Sequence, residues 1–375
     1  MGKRAGGRFR GGKHGAKKVK AEWSNTNIPQ DNEIFRAYYE LQLGLPKEEF
    51  DVFWQTMKEK LPVVFRVNPS TPNFGSFRDK LQHPDFLGNM VEKEEEGENE
   101  PKEVPKLEVL PWYPGHILHQ INTNKQEFKK SKTLSNLHRY LQKAFDAGLI
   151  ARQELVSMLP PLFLDIQEDD IVLDMCAAPG SKTSQLLEMM YGEGKALRKG
   201  CVIANDADYS RAQMLIHQIN RSGTAGMAVI NHPGQFLPEL YSHKVNHIKQ
   251  KFQFDKILCD VPCSGDGATR KIPLKWAHWH TKDGLTLHPL QLSILMKSIN
   301  LLKRGGMIVY STCSLNPIEN EAVLSALLSK VTRGLEIVDI HEQFGFKSRR
   351  GMLHWEVCGT ETVTNKVEVN GKTID

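Results

Sequence analysis

Ile171-Val172-Leu173-Asp174-Met175-Cys176-Ala177-Ala178-Pro179-Gly180-Ser181-Lys182-Thr183 decides the fold of this 375-residue chain. Its apolar start reads as a buried strand, its Ala-Ala-Pro-Gly centre as a tight turn, and Ser181–Tyr191 as a helix. Further strands are predicted at Cys201–Asn205, Met227–Asn231, Lys256–Asp260 and Met307–Tyr310, and helices at Tyr209–Asn220, Pro289–Lys303 and Pro317–Leu328. Such alternation specifies an α/β fold with a doubly wound parallel sheet. Small residues in the first turn let a ligand approach the backbone, and the amides at the helix start attract an anionic group. The spacing fits neither a Walker loop nor the full dinucleotide fingerprint. A ligand with both a carboxylate and a sulfonium, such as S-adenosylmethionine, fits so compact a loop. Asp206 closes the second strand, where an acid accepts ribose hydroxyls. Asp208 competes for that role but is better placed to cap the helix from Tyr209.

Cys263 and Cys313 each follow a strand-like run, Ile257-Leu-Cys-Asp-Val-Pro-Cys263 and Met307-Ile-Val-Tyr-Ser-Thr-Cys313. In a parallel sheet both strands end on the same edge, where open α/β sheets bind ligands. Two thiols there, beside Asp260, suit covalent chemistry on a pyrimidine ring. The six cysteines form no Cys-x-x-Cys and no disulfide framework, so a reducing, intracellular setting is expected, without a metal site. Cys176, Cys201 and Cys259 read as small buried hydrophobes. No run of 18 apolar residues and no signal peptide is present, so no membrane partner is expected.

The apolar fraction of 40% allows a proper core, and the net charge of +5 hides a strong asymmetry. Residues 2–20 hold eight Lys or Arg and no acid, a pattern expected to stay disordered and to serve nuclear import or a grip on RNA phosphates. Residues 31–60 read as helical, broken at Gly44-Leu45-Pro46, with an aromatic stripe read as core. Val63–Pro69 reads as a strand ending in a turn, and residues 111–115 as a rigid turn with buried aromatics. Residues 91–103, with seven Glu and two Lys, form an acidic loop. The expected organisation is a basic tail (1–22), an RNA-binding extension (23–160), a catalytic domain (161–345) and a C-terminal tail (346–375). Lys125, Lys129, Lys130, Lys132, His138 and Arg139 are candidate RNA contacts, with Lys129 and Lys132 on one helical face. Arg270-Lys271 is either a phosphate contact or a solvated pair.

Asp174-Met-Cys-Ala-Ala-Pro-Gly-Ser-Lys-Thr, Asp260-Val-Pro-Cys-Ser-Gly-Asp-Gly and Ser311-Thr-Cys-Ser-Leu-Asn-Pro-Ile-Glu-Asn-Glu321, in this order, resemble the Sun-type RNA (cytosine-5) methyltransferases. Pro111-Trp-Tyr-Pro-Gly115, Phe65-Arg-Val-Asn68 and the aromatic N-terminal helices resemble the eukaryotic multisite tRNA branch. The resemblance spans roughly residues 23–330. It implies a class I, Rossmann-like methyltransferase sheet with an N-terminal extension, S-adenosylmethionine as donor and tRNA or other RNA as partner. Members of that branch usually continue well past residue 375 with a further C-terminal region. Cys176, Ala177, Ala178, Pro179, Gly180, Ser181, Lys182, Asp206 and Asp260 would contact the donor. Cys313 would attack carbon 6 of cytosine, and Cys263 would assist release. Asp260 would partner the base at nitrogen 3, and Lys182 would orient base and acid. The chemistry alone leaves open which sulfur attacks. DNA cytosine methyltransferases attack from a Pro-Cys motif.

One departure stands out. The family carries Asn-His-Asp after the third strand, and that acid holds the adenine amino group; this chain reads Asn231-His232-Pro233-Gly234. The lost hydrogen bond corresponds to about 1.5–3 kcal/mol unless Asn231 or Gln235 replaces it. The alternative function is therefore a weak or inactive RNA-binding paralogue, with a DNA methyltransferase third. The expected compartment is the nucleus or nucleolus.

Overall fold

A computed structural model describes residues 30–90, 105–192, 199–223, 225–243, 249–341, 343–345, 348–358, 367–369 and 372–374. The basic tail and the acidic loop lie outside these residues.

The N-terminal part begins with α1 (Glu33–Leu43) and α2 (Lys47–Lys58). The Asn32 side chain caps α1 by accepting from the Phe35 amide at 3.0 Å, and Gly44, at φ +54°, ends it in the left-handed conformation. Phe35, Tyr38, Tyr39 and Trp54 are buried, with the Phe35 ring 5.1 Å from Trp276 and 5.0 Å from Trp279. The aromatic stripe is core, packed on the segment that follows Cys263. Next come β1 (Pro62–Val67), α3 (Phe74–Gln82), α4 (Asp85–Met90), β2 (Leu107–Val109), β3 (Leu118–Asn124), α5 (Lys125–Lys130), α6 (Ser135–Asp146), β4 (Ile150–Ala151) and the short α7 (Leu159–Leu162). The four strands form an antiparallel sheet in the order β2-β3-β1-β4. In the 111–115 turn Tyr113 is buried, while Trp112 is only half-buried.

The second sheet contains β5 (Ile171–Asp174), β6 (Cys201–Asp206), β7 (Met227–Asn231), β10 (Phe254–Asp260) and β11 (Leu302–Ser311). A short antiparallel pair, β8 (Tyr241–His243) and β9 (Lys249–Lys251), precedes β10. All five large-sheet strands are parallel, in the order β11-β10-β5-β6-β7. Alternation along each strand fills both faces. Val172 and Leu258 pack with Leu186 and Leu187 of α8 (Ser181–Met190) and Leu215 of α9 (Tyr209–Asn220). After the short α10 (Leu274–His278), Leu173 and Ile257 pack with Leu295 of α11 (Lys282–Leu301) and Val323 of α12 (Glu321–Lys330). This is the doubly wound, Rossmann-like sheet expected. The strand order reverses between β5 and β10, which fixes the binding crevice at their carboxyl ends.

Three local expectations need correction. Pro289 does not open its helix; α11 starts at Lys282 and carries Pro289 inside. The turn before the proline is held by tertiary contacts, because Gly284 sits so close to Asn316 that a Cβ would lie 2.6 Å from its amide nitrogen. The final helix splits into a 3-10 turn, Pro317–Glu319, and α12. Finally, α5 ends at Lys130 with Ser131 as its C-cap, so Lys129 and Lys132 share no helical face.

The two sheets are riveted by a buried ion pair. Arg66 on β1 donates from Nε to Glu188 of α8 at 2.6 Å, with side chains 0% and 3% exposed. Arg66 also donates to Gln153 at 2.9 Å, and Gln153 to Gln185 at 2.9 Å. Arg66→Met leaves a buried carboxylate unpaired and is expected to cost about 3–5 kcal/mol, whereas Arg66→Met/Glu188→Met should recover most of it. Urea denaturation midpoints check this; equal midpoints for the single and double variants would contradict the pair's role.

Candidate active site

Strand register brings the two sulfurs together. Asp260 of β10 lies opposite Ser311 of β11, so the chain continues to Cys263 and Cys313 from adjacent strand ends. Both cysteines are free, with sulfurs 3.3 Å apart. The Cys313 amide donates to the Cys263 sulfur at 3.4 Å. Two glycines make room: a Cβ on Gly265 would lie 3.4 Å from the Cys313 sulfur, and one on Gly267 only 2.8 Å from the Cys313 carbonyl oxygen. Cys313 is exposed, as a nucleophile must be. Its pKa is lowered, first by the hydrogen bond from Cys263 and also by the Lys182 charge, against desolvation and the Asp260 and Asp266 charges. The Cys263 pKa is pushed up by donating that bond and by burial. Of the two thiols, Cys313 is therefore the one favoured to ionise and Cys263 the one favoured to keep its proton.

Asp260 is gripped from two sides. Lys182, in the first turn of α8, reaches it at 2.7 Å, and the Ser311 hydroxyl donates to its other oxygen at 2.7 Å. Asp174, at the end of β5, is buried and accepts from the Thr183 hydroxyl at 2.7 Å. Its other oxygen has no partner among the described residues. Burial pushes its pKa up to about 7, with the Thr183 hydrogen bond opposing.

The loop from Cys176 to Gly180 is pinned to β6. The Ala177 amide donates to the Asn205 carbonyl at 2.7 Å, and the Ala178 amide to Asp206 at 3.1 Å. Asp206 is buried and also accepts from the Asp208 amide at 3.0 Å. It thus anchors the loop; a carboxylate has about four acceptor sites, so two remain for another donor. Arg211, which sequence reading passed over, donates to the Ala178 carbonyl at 2.5 Å and lies 3.6 Å from Asp206. Asp208 caps α9, accepting from the Arg211 amide at 2.8 Å. Beyond β7, the Asn231 amide nitrogen donates to the Asp206 carbonyl at 2.8 Å, and the Pro233 turn leads into Gly234–Phe236. Cys259 is fully buried, whereas Cys176 and Cys201 are half-buried, and burial raises all three thiol pKa values.

Two buried acids missed by sequence reading shape the cysteine turns. Glu319 accepts from the Ser264 amide at 2.8 Å, from the Ser264 and Ser314 hydroxyls, and from Gln291 at 2.9 Å. It clamps the residue after Cys263 to the residue after Cys313. Asp266 accepts from the Leu315 amide at 2.7 Å, from Trp279 at 3.3 Å and from the Tyr39 hydroxyl. Their signal was a carboxylate within each cysteine motif, at Cys263+3 and Cys313+6.

Residues 161–358 match the protein family described as 16S rRNA methyltransferase RsmB/F. The chain belongs to this family. Among RsmB/F-like relatives, the multisite-specific tRNA:(cytosine-C(5))-methyltransferase trm4b of Schizosaccharomyces pombe is 41% identical over 88% of this chain and 51% of its own length. The Saccharomyces cerevisiae multisite-specific enzyme is 38% identical over 96% and 51%. The tRNA (cytosine(34)-C(5))-methyltransferase of Drosophila melanogaster is 39% identical over 89% and 45%. The chain spans about half the length of these curated relatives. A methyltransferase homologue from Pyrococcus horikoshii superposes with a TM-score of 0.52 at 26% identity, over 80% of this chain and 83% of that one. The structure of NSun6 from the same organism with SFG gives 0.55 at 21%, over 80% and 87%, which speaks to fold alone. The match to the family covers all three quoted motifs. Among the described residues no helix is long and apolar enough to cross a membrane, and no group of three His, Cys, Asp or Glu could hold a metal.

Two expected outcomes follow from the buried acids of this RsmB/F site. Glu319→Gln puts an amide donor among the donors that now converge on a carboxylate. It should destabilise by about 1.5–3 kcal/mol and move the pH midpoint of Cys313 alkylation by iodoacetamide up toward the ordinary cysteine value, about 8.5. An unmoved alkylation profile contradicts the clamp. Asp174 holds its proton in the folded protein up to about pH 7, while the unfolded chain ionises near its ordinary value, about 3.9. The fold therefore loses stability as pH rises from there through about 7. Asp174→Asn, which still accepts from Thr183, should raise the melting temperature more at about pH 8 than at about pH 5.

Proposed function

We propose that this chain transfers a methyl group from S-adenosylmethionine to carbon 5 of cytosine in tRNA, through a covalent adduct on Cys313. The observation that carries the reading is the sulfur pair 3.3 Å apart beside Asp260 and Lys182, at the carboxyl ends of adjoining parallel strands. The names of the eukaryotic relatives supply the substrate class.

The residues present suit this donor. Cys176–Ser181 line a small-residue turn at a helix start, Asp206 retains acceptor capacity, and Asp174 has a buried oxygen without a partner. Bound there, S-adenosylmethionine supplies an electrophilic methyl on sulfur. Carbon 5 of cytosine is a poor nucleophile. The Cys313 thiolate adds to carbon 6; the carbon 5–carbon 6 double bond becomes single, its electron pair forms a carbon 4–carbon 5 enamine while charge moves to nitrogen 3, and carbon 5 can then take the methyl. Asp260, steadied by Lys182 and Ser311, faces the ring at nitrogen 3 and offsets charge that builds there. After transfer the carbon 5 proton leaves to a base, the electron pair of that bond reforms the ring double bond, and the Cys313 sulfur departs from carbon 6. The sulfur leaves with the carbon 6–sulfur electron pair as a thiolate, and the Cys263 thiol assists by donating a hydrogen bond to it, which restores the resting pair. The target base leaves its stack or lies in a loop, at a cost of a few kcal/mol. The basic tail supports a nuclear setting, and the 105–160 region supports contacts to RNA phosphates.

Labelled donor and tRNA test the reading. Cys313→Ala should abolish methyl incorporation, and Cys263→Ala should accumulate a protein–RNA adduct that survives denaturing gels. An adduct in Cys313→Ala and none in Cys263→Ala would reverse the assignment. Pro233 favours a second reading, an RNA-binding relative without transfer. Absence of S-adenosylmethionine binding by calorimetry at millimolar concentration would select it.

A further inference from the structure

A cleft of about 880 Å³ opens between the N-terminal sheet and the segment that follows Cys263. One wall carries Lys60, Lys125, Lys129 and Arg152; the other carries Arg270 and Lys271. Ser181, next to Lys182, lines it too. The segment from Cys263 to Trp276 is continuous with both regions: Gly265 packs by the Cys313 sulfur, and five residues on, Arg270 faces the cleft. Lys60, Lys125 and Lys129 are exposed and have no carboxylate partner among the described residues. The half-buried His138 lines the cleft too, and its pKa is lowered by burial and then by the Arg152 and Lys129 charges.

Two acids cross this cleft. Glu59 lies 3.7 Å from Arg270, which also donates to the Glu59 carbonyl at 3.0 Å, and Glu154 lies 3.7 Å from Lys271. These distances are long for charge-assisted bonds, and pairs of this exposure hold weakly. A phosphate is a second anion that both cations accept.

We propose that the cleft is the path of a single RNA strand toward the cysteine pair, and that Glu59 and Glu154 are placeholders that strand phosphates displace from Arg270 and Lys271. This rests on the RNA reading of the site and adds to it the route and the exchange. The acids keep the walls from repelling each other when the path is empty. They also set a threshold, since only a polyanion replaces both at once. Isolated anions meet each pair separately and gain little.

The test uses the full chain and poly(U), which contains no cytosine, by fluorescence anisotropy across a salt series. Arg270→Ala/Lys271→Ala should make the slope of log affinity against log salt shallower by about 1.4, 0.7 for each lost phosphate contact. Glu59→Gln/Glu154→Gln should tighten binding about two- to tenfold, because the competing acids are gone. The same charge loss elsewhere, in Arg349→Ala/Arg350→Ala, should leave the slope nearly unchanged; thermal melting confirms that each variant is folded. An unchanged slope in the first variant, no tightening in the second, or an equal slope change in the third overturns the proposal. Methyl incorporation into tRNA by the unmodified protein is measured alongside. Poly(U) binding through the cleft without methylation sinks the enzymatic reading and leaves the path standing; methylation without cleft dependence does the reverse.

Discussion

The Arg66–Glu188 ion pair is the constraint on which the placement of both halves depends. A guanidinium and a carboxylate removed from water are tolerable only when each satisfies the other. Gln153, Gln185 and Tyr113 extend the network, the last accepting from Gln185 at 3.1 Å. The pair fixes β1 against α8, and the first turn of α8 carries Lys182. The geometry of Lys182 against Asp260 is therefore set partly by a residue of the N-terminal sheet, far from any sulfur. The wall of the cleft formed by residues 125–152 is set by the same rivet.

Around the cysteines the logic is different. Apolar packing holds the ends of the turns after β10 and β11, through Val261 and Leu315; buried carboxylates order the stretch between. Glu319 and Asp266 gather amides and hydroxyls from both loops, and their burial is affordable because each accepts at least three hydrogen bonds. Polar ordering of this sort gives direction to bonds that packing alone would leave loose. It also explains how an exposed sulfur is held within 3.3 Å of another without a covalent link.

The legible part of the fold was the part written locally. β5, α9 and β7 were found with their bounds, because short apolar runs and helical periods sit between turn residues. β3, Leu118-His-Gln-Ile-Asn-Thr-Asn124, escaped: its polar residues hide the alternation, and its pairing with β1 and β2 makes it a strand. Pro289 misled because a proline usually marks a helix start, whereas here packing on Asn316 holds the turn before it. Among site residues, the motif positions were readable, since their spacing in sequence follows from one strand and one turn. Glu319 was passed over although it stands within the Cys313 motif, because its role as a clamp needs Ser264, 55 residues away. Asp206 was readable as an acid at a strand end, but its hold on the Ala178 amide emerges only when β5 and β6 lie side by side.

The pairing of Asp260 with Ser311 carries a lesson about tolerance to insertions and deletions. Because side chains alternate along a strand, one residue gained or lost between Met307 and Ser311 would invert every neighbour up to the turn and send Cys313 to the opposite side of the sheet edge. A change of the same size before Phe254 would be absorbed by the loop ahead of β10 and leave the sulfurs where they are. Length variation among proteins built on this plan should therefore gather in the loops at the amino ends of the strands, while the runs leading to each cysteine keep a fixed count.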